Sequence, residues 1–142
     1  MSVKDMTDQQ LNRELAELMG YIVTEGEHDL WPEWYELKKN GVVQSGDLDK
    51  DWAWDNAPDY CSDAFASLEV QAAAIKANDR QYAINLAKRL EWDGDDLEYS
   101  DNDVFSYTGV TVFMLSNPRQ RAEAAYMTLS NRVKHTKEAE QS

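Results

Sequence analysis

An α+β fold is predicted for this chain: a small, mostly antiparallel sheet covered by about four helices, in an α/β/α-type sandwich. Three observations predict it. Apolar residues recur at helical spacing in four separate segments. Asn40-Gly41 stands between two short extended stretches, and that dipeptide is a strong hairpin signal. Residues 110–115, VTVFML, form a short β-rich apolar run bounded by polar residues, which reads as a central buried strand.

The elements follow in chain order. Thr7 and Gln10 have the spacing of a capping box, so a helix is expected over 8–19. Its apolar face is Leu11, Leu15 and Leu18, and Gly20 supplies a left-handed C-cap. Tyr21 to Thr24 are aromatic and β-branched, giving a strand near 21–24, with further strands near 34–37 and 42–43 on either side of Asn40-Gly41. Ser62 or Asp63 can cap a helix over 63–77 whose inward face is read as Phe65, Leu68, Ala72 and Ile75. Asp79 then caps a helix over 80–90, with Tyr82, Leu86 and Leu90 on one face and Lys88 and Arg89 near its C-terminus, where cations suit the helix dipole. Asn117, Pro118 and Gln120 open the last helix, 118–134, with Ala122, Tyr126, Leu129 and Val133 inward. Residues 1–6 and 136–142 are expected to fray.

At 142 residues, 42% hydrophobic and 11% aromatic, the chain suits one domain with a packed core. No apolar run approaches the roughly 20 residues of a membrane helix, and the first ten residues lack a signal peptide's apolar core. The expected location is the cytoplasm. Cys61 is the only cysteine, which excludes an intrachain disulfide and a thiolate metal cluster. The net charge of −13 disfavours nucleic acid and anionic membranes and permits a basic protein partner. Acids are concentrated in 44–58 and in 91–103, and both segments read as solvated loops.

Asp47, Asp49, Asp51 and Asp55 match a calcium loop in part, but Trp52 stands where Gly is needed and Pro58 where a bidentate Glu belongs. No metal and no cofactor is expected. Phosphate loops, nucleophile elbows and His-rich metal motifs are missing from the sequence, so no catalytic residue is assigned. The ligand-binding candidates lie elsewhere. Arg119 and Arg121 fall in the first turn of the last helix beside Asn117, where free backbone N–H groups and two guanidinium groups suit an anion. Tyr60, Trp52 and Trp54 are aromatics able to stack on a ring near such a site. In an extended chain Trp52 and Trp54 share a face, and their acidic neighbours would attract a cationic partner.

Three stretches carry a resemblance. They are Leu18-Met19-Gly20-Tyr21, then Ala57-Pro58-Asp59-Tyr60-Cys61-Ser62-Asp63, then the ten residues from Ser116 to Ala125, SNPRQRAEAA. In this order they resemble the phage ABA sandwich domain family, small phage and prophage proteins in which a sheet lies between helical layers. The likeness runs over about residues 8–130. It implies phage origin and architecture, since the family has no general activity. The function expected on this reading is a non-catalytic bacteriophage accessory protein that binds a host component. One version sequesters a small nucleotide-like signal to evade host defence. The alternative is an acidic DNA mimic that inhibits a host DNA-binding protein. The partner is then a host protein or a nucleotide-like ligand, and a homo-oligomer stays open.

Overall fold

Capping chemistry sets the first helix. In the computed structural model, which describes residues 2–90 and 107–141, Thr7 Oγ1 accepts from Gln10 N at 3.1 Å and Gln10 Oε1 accepts from Thr7 N at 2.9 Å. This box opens α1, Asp8–Leu18. Leu11 and Leu15 are fully buried, and Gly20 ends the helix at φ 96°.

Three strands follow in a sheet of order β1-β2-β3, both pairings antiparallel: β1 Tyr21–Glu25, β2 Tyr35–Lys39 and β3 Val42–Asp47. Asn40 and Gly41 both take positive φ, 51° and 84°, as the tight turn between β2 and β3 requires. Tyr21 and Leu37 point into the core while Ile22 and, across β2 from it, Val43 lie on the outer face, the alternation of a half-covered sheet; Val42, on the inner face at the turn, is exposed as well. The cover comes from α1 and from α2, Lys50–Asp55. The stretch 44–58 is therefore not one acidic loop. β3 runs on to Asp47, and Asp49 caps α2 by accepting from Asp51 N and Trp52 N. The aspartates that suggested solvated loop are in part the residues that start the helix.

A long helix, α3 Ala64–Arg89, is broken by extended backbone at Asn78 (φ −164°, ψ 90°). It consists of two helical halves close to the two predicted helices. Asn78, rather than Asp79, caps the second half, its Oδ1 accepting from Gln81 N at 3.1 Å. The inward face of the first half differs from the sequence reading. Phe65, Leu68 and Ile75 are exposed, and Ala66, Ser67, Val70 and Ala74 are buried. The last helix, α5 Pro118–Gln141, explains this: Ala122, Ala124 and Ala125 are fully buried, and α3 and α5 form the most extensive helix pairing of the fold. Small residues let the two helix backbones approach closely, so the bulky apolar residues turn away.

The run 110–115 is not a strand. Residues Tyr107–Met114 form a helix, α4. Val110, Met114 and Leu115 are exposed, and Phe113 packs partly against Ala83 and Ala87. A short apolar run has no periodicity that separates a buried strand from a helix, and among the described residues the sheet consists of β1 to β3, within residues 21–47. The small antiparallel sheet packed against helices stands without it.

Both ends depart from expectation. The N-terminus carries a 3₁₀ turn, Val3–Asp5, with Val3 buried, and α5 continues to Gln141, beyond the predicted 134. The acidic segment 91–103, with Trp92, lies outside the described residues. Among those described, no helix is long and apolar enough to cross a membrane.

Candidate functional site

The fold gives the residues of the predicted anion site separate roles. Arg119 has five N–H donors and an acceptor for each. Nη1 donates to Asp8 Oδ1 (2.7 Å) and faces Cys61 Sγ (3.8 Å). Nη2 donates to the carbonyls of Met6 (2.8 Å) and Val3 (3.1 Å), and Nε to Glu123 Oε2 (3.4 Å). The guanidinium thus ties the N-terminal turn, α1 and α5 together, which is why residues 3–6 do not fray. Asn117 is occupied in a capping box: its Oδ1 accepts from Gln120 N (2.8 Å) and its N donates to Gln120 Oε1 (2.9 Å). Tyr60 is buried in the core. Burial, with Tyr21 and Glu69 nearby, pushes its hydroxyl well above the usual range.

Trp52 and Trp54 do not share a face, because they lie on α2 rather than on extended chain. Trp52 is 58% exposed and Trp54 only 9%. Trp54 borders a cleft of about 550 Å³ between α1, α2 and the turn before α3. Asp8, Asp51, Asp55 and Asp59 supply carboxylates to this cleft, with Gln9, Asn12 and Arg13 between them. Gln9 Nε2 donates to Asp55 Oδ1 (2.9 Å), and Asn12 Nδ2 to Asp59 Oδ1 (2.8 Å). Asp59 Oδ1 also accepts from Ser62 N (3.2 Å). Arg13 lies over the Trp54 ring, 5.0 Å from its centroid, and pairs with Asp51 at 3.5 Å. The cleft therefore already holds one guanidinium by stacking and charge. A carboxylate has about four acceptor positions, so these bonds leave several open in each acid.

The calcium-like acids diverge in role. Asp47 accepts from Leu48 N and Asn56 Nδ2, Asp49 caps α2, and Asp51 and Asp55 take Arg13 and Gln9. Among the described residues no group of three or more His, Cys, Asp or Glu is placed to hold a metal ion. Cys61 is buried with its backbone N donating to Asn12 Oδ1 (3.0 Å). Burial pushes its thiol up to about 12, and the lowering influence of Arg119 offsets this only in part. At neutral pH it is a thiol and a poor nucleophile.

A second concavity, about 460 Å³, lies between α3 and α4. It is lined by Leu68, Ile75, Leu86, Phe113 and Met114, with Arg121 and Gln71 among the polar residues. Sequence reasoning missed this groove. Its signal was present in Leu68 and Ile75, whose spacing marks a face but does not tell which face is covered.

Compared with protein-family models, with curated proteins and with solved structures, the chain gives no match in any of the three.

Proposed function

We propose that this chain is a non-catalytic accessory protein of the phage type implied by the resemblance, acting in the host cytoplasm, and that it binds an arginine- or lysine-rich segment of a host protein in the cleft between α1 and α2. The observation that carries this is Arg13, held over Trp54 and against Asp51. An incoming guanidinium would find no free indole face, since Arg13 covers Trp54, but it would meet the spare carboxylate oxygens of Asp51, Asp55 and Asp59. The charge of −13 steers a basic partner toward the protein.

Of the two readings made from sequence, this keeps the acidic one and changes its form. The acids of the 47–63 segment cap helices and brace turns rather than forming a free phosphate-like array. The nucleotide version loses three of its residues, because Arg119, Asn117 and Tyr60 are engaged within the fold.

An arginine-rich peptide of about ten residues tests the proposal by titration calorimetry. Asp51→Asn with Asp55→Asn removes two charges at exposed positions of α2 and should weaken binding by roughly tenfold, since exposed ion pairs contribute up to about 1 kcal/mol each. Binding should also weaken several-fold between about 0.05 and 0.5 M salt as screening shortens the reach of the charges. Binding unaffected by both salt and the double substitution would remove the reading.

A further inference from the structure

The α3–α4 groove is independent of the acidic cleft and differs from it in chemistry. Among the described residues that line it, only Arg121 and Asp79 are charged. Most of the remainder are carbon-rich, and several of them are open to solvent: Leu68, Ile75, Val110 and Met114. An apolar concavity with one or two convergent polar groups is the usual form of a small-molecule site, and its volume lies within the roughly 300–1,000 Å³ such sites occupy.

Arg121 is the informative residue. Its Nε donates to Ser67 Oγ at 3.0 Å, and Ser67 is fully buried. Nη1 donates to the Ser116 carbonyl and lies 3.4 Å from Ser116 Oγ. Two edges of the guanidinium are thus clamped between α3 and the start of α5. Nη2 donates to no acceptor among the described residues. Arg119, one helical half-turn away, has every donor placed within the protein. A clamped guanidinium with an open edge is oriented in advance for an anion. Gln71 supports the same polarity: Tyr82 Oη donates to Gln71 Oε1 at 2.7 Å, which leaves the amide Nε2 as a donor. Burial holds the Tyr82 hydroxyl in its neutral, donating form. Asp79 sits beside the Asn78 kink, and its Oδ1 accepts from Arg80 N.

We infer that this groove binds an aliphatic carboxylate of the fatty-acid class, its head on Arg121 and Gln71 and its tail along Leu68, Ile75 and Met114. The choice of head rests on charge complementarity. A cationic amphiphile would meet the Arg121 guanidinium, and an uncharged one would form no charge-assisted bond with that open edge. The long-range field of the −13 protein slows capture of an anion, but at physiological salt it is screened within about 8 Å, and the local contact decides the equilibrium.

Titration calorimetry with decanoate, decanol and decyltrimethylammonium on the full chain separates the contributions. Decanoate should bind roughly tenfold or more tightly than decanol, as a charge-assisted bond predicts, and decyltrimethylammonium should bind more weakly than either. Arg121→Gln should bring decanoate down to the level of decanol and leave decanol unchanged. Ile75→Trp, at a partly exposed position, should weaken both by filling the groove. Should Arg121→Gln fail to fold, side-chain ¹⁵N spectra of the wild-type chain decide instead: decanoate should shift the Arg121 Nε and Gln71 Nε2 signals. Equal affinity for decanoate and decanol, an equal loss of both in Arg121→Gln, an absence of decanoate binding, or unmoved Arg121 and Gln71 signals would each overturn the assignment.

Discussion

Two concavities among the described residues are built from opposite materials. The α1–α2 cleft is walled by residues that already hold one another: Gln9 with Asp55, Asn12 with Asp59, Arg13 with Asp51 and Trp54. The α3–α4 groove is walled by side chains that the fold left over after packing its small residues inward, with Leu68 46% and Met114 78% exposed along it. In the first, acidity serves the architecture and leaves spare acceptors in the cleft. In the second, the architecture is satisfied by alanines, and bulky carbon is displaced to the surface. Exposed apolar surface is therefore the more telling of the two, since polar residues around a cleft have reasons of their own to be there.

Substitutions that act on one region and spare the other sharpen the contrast. The largest effect is expected for Trp54→Ala, which removes a buried ring from the floor of the cleft and should cost about 3–5 kcal/mol in urea unfolding. Trp52→Ala, two residues away and exposed, should leave stability within about 0.5 kcal/mol. Equal costs for the two would break the helical assignment of α2. Arg119→Met should follow at about 3 kcal/mol, because it strands Glu123 in a nearly buried position and frees the N-terminal turn. Limited proteolysis should then cut within the first six residues. Asp49→Ala, losing the α2 cap, should cost about 1 kcal/mol and weaken arginine-rich peptide binding, while decanoate affinity is unchanged.

The smallest effect is a pH dependence. Cys61 in the fold is pushed up to about 12 from an ordinary value of 9.0, because burial disfavours the thiolate. A group whose folded value is raised adds stability that is fully present below about pH 9 and is lost as pH rises toward 12. Cys61→Ser should flatten the fall in stability over that window relative to wild type. Tyr60 and Tyr82 are shifted in the same direction by burial, so some dependence should persist. Alkylation of Cys61 at pH 8 should be at least about tenfold slower in the folded chain than in urea.

Much of the secondary structure was legible because its signals are local. Thr7 with Gln10, Asn117 with Gln120 and the Asn40-Gly41 turn each depend on atoms within three residues, and each forms as the sequence implies. The errors share another cause. Residues 110–115 were read as a strand on composition, yet Val110, Phe113 and Met114 lie together on the groove at helical spacing. Phe65, Leu68 and Ile75 were read as core on hydrophobicity, and the alanine face of α3 was taken instead. The candidate site was less legible still. Arg119 and Arg121 looked equivalent in sequence, and only the positions of Asp8, Met6 and Ser67 separate a structural guanidinium from one with an open edge.

By itself, then, the sequence determined where helices begin, where the hairpin turns, and that a strongly acidic chain carries enough apolar residues for a core, because capping, turn geometry and charge are properties of neighbouring residues. The tertiary structure decided which helix face is covered, whether residues 107–114 coil or extend, and which arginine keeps a free edge. Those outcomes depend on how closely α3 and α5 can approach, and that distance is set jointly by residues more than forty positions apart, such as Ser67 and Arg121 or Asn85 and Thr128.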